Sequence, residues 1–168
     1  NYFLHMSDIT FDIQANEMHV HRKRAEPWKI TLVDTGDKSM TGGRLLRVSD
    51  HIKDEESFCF TYGDGVGDIN ISSAIDFHNS HKKLATVTTS YPPGRFGSIT
   101  IQDNQVMNFI EKPKGDGAMV NAGFFILSPK ILDYLKDDST VWEKEPLENL
   151  AKDGELMSFK HNGFWQPM

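Results

Sequence analysis

Residues 58–68, FCFTYGDGVGD, are the stretch that most constrains what this chain can fold into. Phe58, Cys59, Phe60, Thr61 and Tyr62 are mostly aromatic or β-branched and predict a buried strand. The strand stops at Gly63-Asp64-Gly65. Flanking glycines let a ligand approach the carboxylate from both sides, and in an open α/β sheet ligands bind beyond the carboxyl ends of the strands. Asp64 is therefore the first candidate for a functional residue, as a metal ligand beside phosphate. The plain alternative is a strand-to-helix turn, where Asp and Gly are common without any function.

The rest of the chain alternates strand and helix patterns. Residues 9–21 alternate apolar and polar side chains around Ala15-Asn16 and predict a β-hairpin with one buried face. His19 and His21 share one side of that hairpin, but without a third ligand they read as part of a solvated basic face with Arg22, Lys23 and Arg24. Residues 29–33 (KITLV) predict a short strand and a turn follows. Met40-Thr41-Gly42-Gly43-Arg44 then opens an amphipathic helix with Leu45, Val48 and Ile52 on one face. A second helix, capped near Asp68 or Asn70, is predicted to turn Ile71, Ala74, Ile75 and a satisfied His78 inward. Strands are predicted at 84–90, 98–101, 106–110, 119–128 and 156–160, with helices at 129–135 and 142–151. The succession implies an α/β fold in a single domain over 1–168. Its Rossmann-like sheet is mixed, mostly parallel and flanked by helices, with the hairpin as an addition.

Three further stretches carry chemistry. Thr41-Gly42-Gly43 at a helix start can set bare N–H groups against an anion or a base, with Arg44 adding a charge suited to phosphate. The alternative is an N-capping Thr41 followed by glycines that permit close packing. Glu111-Lys112, closing a strand before Pro113, can bind a polyol through the carboxylate and its phosphate through the ammonium group. Asn121 interrupts an apolar run, so it either ties down a loop or meets a ligand hydroxyl.

Composition narrows the classes. A net charge of -6 argues against non-specific nucleic-acid binding. No apolar run approaches the ~20 residues a membrane span needs. The single Cys59 cannot form an intramolecular disulfide, reads as a small core residue, and fits a reducing cytoplasm. A dinucleotide fold is disfavoured because Gly63-Asp64-Gly65-Val66-Gly67 is followed by Asp68, where that fingerprint needs Gly or Ala. The spacing of Asp64, Asp68 and Asn70 is not that of a calcium loop, and no Gly-x-Ser-x-Gly element supports a hydrolase. The chain opens at Asn1 and stops at Met168 in mid-element, so it is expected to be a piece of a longer protein.

Tyr62-Gly63-Asp64-Gly65, Pro93-Gly94-Arg95-Phe96-Gly97, Phe109-Ile110-Glu111-Lys112-Pro113 and Val120-Asn121-Ala122-Gly123-Phe124-Phe125 occur in this order. The succession resembles the sugar-nucleotide pyrophosphorylases. Glu26-Pro27-Trp28, Leu32-Val33-Asp34-Thr35-Gly36, the Met40–Arg44 pentapeptide and Gly163-Phe164-Trp165-Gln166-Pro167-Met168 narrow the resemblance to the glucose-1-phosphate cytidylyltransferase branch.

That resemblance implies transfer of a cytidylyl group from CTP to glucose 1-phosphate, giving CDP-glucose and pyrophosphate. It implies Mg²⁺ held by Asp64. Gly63, Thr41, Gly42, Gly43 and Arg44 would lie near the nucleotide. Phe96, Gly97, Glu111 and Asn121 would line the sugar side. Lys112 would lie on the sugar phosphate and be, beside Asp64, a catalytic residue; Trp165 would be a further substrate-binding residue. A homo-oligomer and a bacterial cytoplasmic setting in surface-polysaccharide (O-antigen) synthesis are implied too, and the 9–21 hairpin is a candidate for the oligomer contact. The family's Gly-rich phosphate loop is not among these 168 residues, and its second metal aspartate would follow Met168. The stretch taken alone is therefore expected to be nearly inactive. The alternatives are a sibling enzyme using UTP or dTTP, or a non-catalytic nucleotide-sugar-binding module.

Overall fold

The computed structural model describes residues 6–23, 26–92, 98–102, 104–110 and 119–168. The chain divides into two compact units, Asn1–Asp34 and Thr35–Met168.

In the first unit the predicted hairpin is present. Strand β1 (Ser7–Asp12) pairs antiparallel with β2 (Glu17–Lys23), setting Ile9 opposite Val20 and Phe11 opposite Met18. The Asp12 carboxylate accepts from the Ala15 N–H at 2.9 Å, and Asn16 turns the chain at φ 55°, a left-handed conformation Asn tolerates well. The expected buried face is not closed: Phe11 and Ile13 are exposed, because a two-stranded hairpin has no second layer of its own. His21 Nε2 meets Thr10 Oγ1 at 2.8 Å and exposed His19 lies 3.4 Å from Glu17. Residues 29–33 are irregular rather than a strand, with Ile30 and Leu32 exposed. Among the described residues no strand pairs with them, and an apolar run becomes a strand only against a partner edge.

The second unit is built on a four-stranded sheet in the order β3 (Phe58–Thr61), β8 (Val120–Leu127), β5 (Ala85–Ser90), β9 (Leu156–His161). It is mixed, as expected. Parallel pairing, however, joins only β5 to β9 among these strands, since β8 inserts antiparallel between β3 and β5. One face carries the core. Phe60 and Val87 both register with Phe125 of β8, and the Phe125 ring meets those of Phe60, Tyr62 and Trp142 at 5.7, 5.8 and 5.8 Å. Such tilted and edge contacts add to what burial supplies. Leu45, Ile131, Leu135, Trp142 and Leu150 close this face. They come from helix α1 (Thr41–Arg47), the 3₁₀ turn Pro129–Tyr134, helix α3 (Glu145–Lys152) and the segments next to them. The predicted helix from 142 starts instead at Glu145, because Pro146 belongs in a first helical turn. Trp142 precedes it, fully buried. Cys59 lies on β3 as predicted but points to the exposed side of this edge strand. β4 (Gly65–Gly67) and β10 (Trp165–Pro167) form a separate antiparallel ribbon, and β6 (Ser98–Gln102) and β7 (Gln105–Ile110) another. No helix among the described residues is long and apolar enough to cross a membrane.

Helix α2 (Ile71–His81), capped by the Asn70 side chain on the Ser73 N–H, packs on β5, β8 and β9. Beneath it the buried Thr86 hydroxyl meets His78 Nδ1 at 2.9 Å and His81 Nε2 at 2.7 Å. Because His81 Nδ1 accepts from the Lys83 N–H, its Nε2 carries the proton and donates to Thr86. Desolvation, with the neighbouring His81, holds His78 below its ordinary 6.5; desolvation, with nearby Lys83, does the same for His81. The unfolded chain then binds protons that the folded chain rejects. Stability is fully present above about pH 6.5 and is lost as pH falls below it toward the lowered folded values. Thermal denaturation between pH 7.5 and 5.5 should show Tm falling, and less steeply in His78→Gln. A flat profile would contradict the account.

Candidate functional site

Asp64 sits where the strand reading placed it, in the turn between β3 and β4 beyond the carboxyl end of β3. Its side chain is exposed and its carbonyl accepts from the Met168 N–H at 2.8 Å. Only one flank is open. A side chain at Gly63 would meet nothing within 4 Å, whereas at Gly65 it would touch Ala122, Phe124 and Trp165 at 3.6–3.9 Å. A ligand reaching Asp64 would thus find room on the Gly63 side.

On that side lies an open pocket of about 460 Å³ lined by Thr41, Tyr62, Gly63, Asp64 and Glu143. Thr41 is not the helix cap: Met40 holds that position, without a side-chain bond. The Thr41 hydroxyl instead accepts from the Trp142 N–H at 2.9 Å and donates to Glu143 Oε2 at 2.7 Å. It is an orienting link for Glu143, and its own proton is used.

Gly42 and Gly43 are buried, and their N–H groups are not bare. Both donate to the Thr140 carbonyl, at 2.9 and 3.2 Å, while Met40 N–H donates to Asp138 O at 2.8 Å. A Cβ at Gly42 would stand 2.8 Å from Thr140 Cγ2, and one at Gly43 only 2.4 Å from Asp138 O. These glycines permit close packing of α1 on residues 138–140, the second of the two readings. Arg47 reinforces the contact with a fork onto the Asp138 carboxylate, which is held below the usual carboxylate range by that bond. Arg44 is exposed and donates from Nη1 to Thr35 Oγ1. Most of its five donors remain for an anion.

Tyr62 forms the inner wall. Its N–H donates to Gly123 O at 3.2 Å, and its ring lies 2.7 Å from where a Gly123 Cβ would be. Gly123 also adopts φ 80°, so both space and conformation require glycine there. The Tyr62 hydroxyl is buried near Glu143 and Asn121 but makes no hydrogen bond. Burial first, then the Glu143 carboxylate, push the phenol well above its usual range, so it stays neutral. An orphaned hydroxyl costs stability, so Tyr62→Phe should leave Tm unchanged or raise stability by up to about 1 kcal/mol. A fall in Tm on thermal denaturation would show that the hydroxyl has a partner.

Asn121 is exposed, and its Oδ1 accepts from the Gly123 N–H at 2.8 Å, tying down the chain in the first of its two expected roles. Trp165 lines a second cavity of about 430 Å³ with Tyr91, His161 and Phe164. Its indole N–H is taken by Ala122 O at 2.9 Å, so the ring offers a face and no donor. Phe96, Gly97, Glu111 and Lys112 lie outside the described residues.

No group of three or more His, Cys, Asp or Glu side chains that could hold a metal ion is present among the described residues. Mg²⁺ does not require one. It keeps several waters and is bound through one or two carboxylates plus substrate phosphates. An exposed Asp64 carboxylate on an open pocket fits that requirement. No local sequence signal marks Glu143. It lies among other charges in Trp142-Glu143-Lys144-Glu145, and only its link to Thr41, about 100 residues away, marks it.

The sequence profile of the nucleotidyl transferase family matches residues 9–166. The chain belongs to the nucleotidyl transferase family. This nucleotidyl transferase chain is 62% identical over all 168 residues to the glucose-1-phosphate cytidylyltransferase of Salmonella typhi, spanning 65% of that protein. It is 44% identical over 160 residues to a probable glucose-1-phosphate cytidylyltransferase of Bacillus subtilis, covering 95% of this chain and 62% of that one. The chain thus spans slightly under two thirds of the length of these relatives. A putative glucose-1-phosphate thymidylyltransferase from Bacillus anthracis shares the fold, with a TM-score of 0.59 at 20% identity over 79% of this chain and 57% of that one. HddC from Yersinia pseudotuberculosis does so with a TM-score of 0.57 at 21% identity, over 78% and 57% of the two chains.

Proposed function

We propose that the protein carrying this sequence transfers the cytidylyl group of CTP to α-D-glucose 1-phosphate, giving CDP-glucose and pyrophosphate. The observation that carries the reading is 62% identity along all 168 residues to a glucose-1-phosphate cytidylyltransferase. The open pocket around Asp64 supports it from the side of chemistry.

In the proposed reaction an oxygen of the sugar phosphate attacks the α-phosphorus of CTP. One P–O bond forms, the bond from the α-phosphorus to the bridging oxygen breaks, and pyrophosphate leaves with that electron pair. Such chemistry needs positioning and neutralisation of charge more than acid–base catalysis. Bound Mg²⁺, held by Asp64, would supply charge neutralisation at the phosphates. Arg44 would add a cation on the nucleotide side, and Gly63 would leave the approach to Asp64 open. Thr41 would fix Glu143 as an acceptor in the pocket wall, and Gly42 and Gly43 would hold that wall in place. Lys112 would pair with the sugar phosphate. Glu111, Phe96, Gly97, Asn121 and the Trp165 face would border the glucose. The setting is the bacterial cytoplasm, in a homo-oligomeric enzyme supplying CDP-glucose for surface polysaccharide.

The test is pyrophosphate release by the intact protein with glucose 1-phosphate, Mg²⁺ and each nucleoside triphosphate in turn. Turnover with CTP well above that with UTP and dTTP supports the reading. Faster turnover with UTP or dTTP replaces it by the sibling reaction. No turnover with any triphosphate and sugar phosphate leaves a nucleotide-sugar-binding module.

A further inference from the structure

We propose that His161 is a positioning residue of the transfer site: it pins the β4–β10 ribbon to the sheet and, through the ribbon, sets where Asp64 stands. The proposal rests on the reading of Asp64 as the metal-holding carboxylate.

The ribbon needs such a tether. β4 and β10 are three residues each and pair only with one another among the described strands. A two-stranded ribbon is marginal by itself. Asp64 enters it directly: Gly65 begins β4, and the Asp64 carbonyl takes the Met168 N–H at 2.8 Å, past the end of β10. The position of the carboxylate is therefore that of the ribbon's far end.

The near end is held by His161. This residue ends β9, at the carboxyl end of the parallel β5–β9 pair, and is only 9% exposed. Its Nε2 lies 3.0 Å from Asp68 Oδ1 and 3.0 Å from the Phe164 carbonyl. Asp68 directly follows β4 and Phe164 directly precedes β10, and the Asp68 N–H also donates to Phe164 O at 3.1 Å. The imidazole N–H donates to the Phe164 carbonyl while the Asp68 carboxylate stands within ion-pair distance of the same nitrogen, so the ends of both strands meet His161 at the root of the ribbon. Gly163 makes room for the contact. A Cβ there would stand 2.4 Å from Asp68 Oδ1 and 2.7 Å from His161 Cε1. The other tether is the Trp165 indole on Ala122 O. From Asp68 to Asp64 the strand spans about 13 Å, at about 3.3 Å per residue. A small rotation at the root therefore displaces the carboxylate by more, and misplacement of about 1 Å can cost 10²-fold in rate.

The experiment compares His161→Ala, His161→Gln and Asp68→Ala in the intact protein. Gln can present an N–H near the position of Nε2, while Ala removes it. Two readouts are taken: kcat and KM for pyrophosphate release, and amide hydrogen exchange by mass spectrometry. The expected result for His161→Ala is a loss of about tenfold to a hundredfold in kcat with little change in KM. Faster exchange should be confined to residues 65–68 and 165–168, with β5 and β8 as protected as before. His161→Gln should recover most of both. Asp68→Ala, altering an exposed side chain, should fold normally and loosen the same residues with a smaller loss in kcat. It decides the matter if His161→Ala does not fold.

Unchanged exchange in the ribbon, or loosened ribbon amides with kcat intact, would overturn the proposal. So would a loss spread over β5 and β8 that Gln does not rescue, which is a structural role alone. The exchange pattern does not depend on which reaction is catalysed. If it appears while Asp64→Asn retains full activity, the reading of Asp64 fails and the tether stands as a feature of the fold only.

Discussion

Asp64→Asn is expected to lower kcat/KM for pyrophosphate release by about 10²-fold or more while leaving the fold intact. The two halves of this expectation have separate physical grounds. The side chain is exposed, and no described residue donates to its carboxylate; only the backbone carbonyl is engaged, by Met168. Asn has the same shape and leaves that bond alone, so the change in stability should stay within the ~0.5 kcal/mol usual for surface sites. The proposed reaction would place several phosphate charges where this carboxylate would hold Mg²⁺. Removing one group that stabilises charge in a transition state typically costs 10²–10³-fold, or about 2.7–4 kcal/mol. Steady-state kinetics at saturating Mg²⁺, paired with thermal denaturation, separates the two. Activity within about threefold of the parent would remove Asp64 from the metal role. A fall in Tm matching the fall in rate would make it a structural residue. Glu143→Gln is the informative neighbour, because a Gln carbonyl can still accept from Thr41 and the effect should be much smaller than at Asp64.

Asp64 could be read from sequence because its placement is local. Aromatic and β-branched residues from 58 to 62 make a strand in most contexts, and Gly-Asp-Gly ends it. The hairpin, β5, β8, β9 and the Asn70 cap were legible for the same reason, each carrying its own periodicity or capping signal. What escaped depends on partners distant in sequence. β4 and β10 are three residues each, β4 having two glycines, and they pair across about 100 positions. Nothing in either stretch alone announces a strand. Residues 29–33 have strand propensity, yet among the described residues no edge receives them. Cys59 reads as a core residue yet lies on the exposed face of its strand, since faces alternate with every residue and propensity does not choose between them. The candidate site divides along the same line. Asp64 and Gly63 follow from their turn. Glu143 and the engaged N–H groups of Gly42 and Gly43 follow from residues 138–143 folding back onto α1, which no local pattern encodes.

Those glycines give the sharpest separation between a binding role and a packing role. Gly43→Ala is expected to destabilise the protein at or above the upper end of the ~1–3 kcal/mol typical of overpacking. The new Cβ would lie 2.4, 2.6 and 2.7 Å from the carbonyl oxygen, Cα and carbonyl carbon of Asp138. All three are backbone atoms, so no side chain can swing aside. Helix α1 would have to lift from residues 138–140. That motion stretches the Gly42 and Gly43 bonds to Thr140, the Arg47 fork to Asp138, and the Thr41 links to Trp142 and Glu143. The pocket wall loosens with the helix, so Tm and kcat/KM should fall together, Tm by roughly 5–10 °C. Gly63→Ala is the matched control. Its Cβ would enter open space, so Tm should hold, and only a ligand approaching Asp64 from that side would register the methyl group. If Gly43→Ala instead kept its Tm and raised only the KM for CTP, the glycine would be facing the nucleotide, and the close packing of α1 on residues 138–140 would not be what requires it.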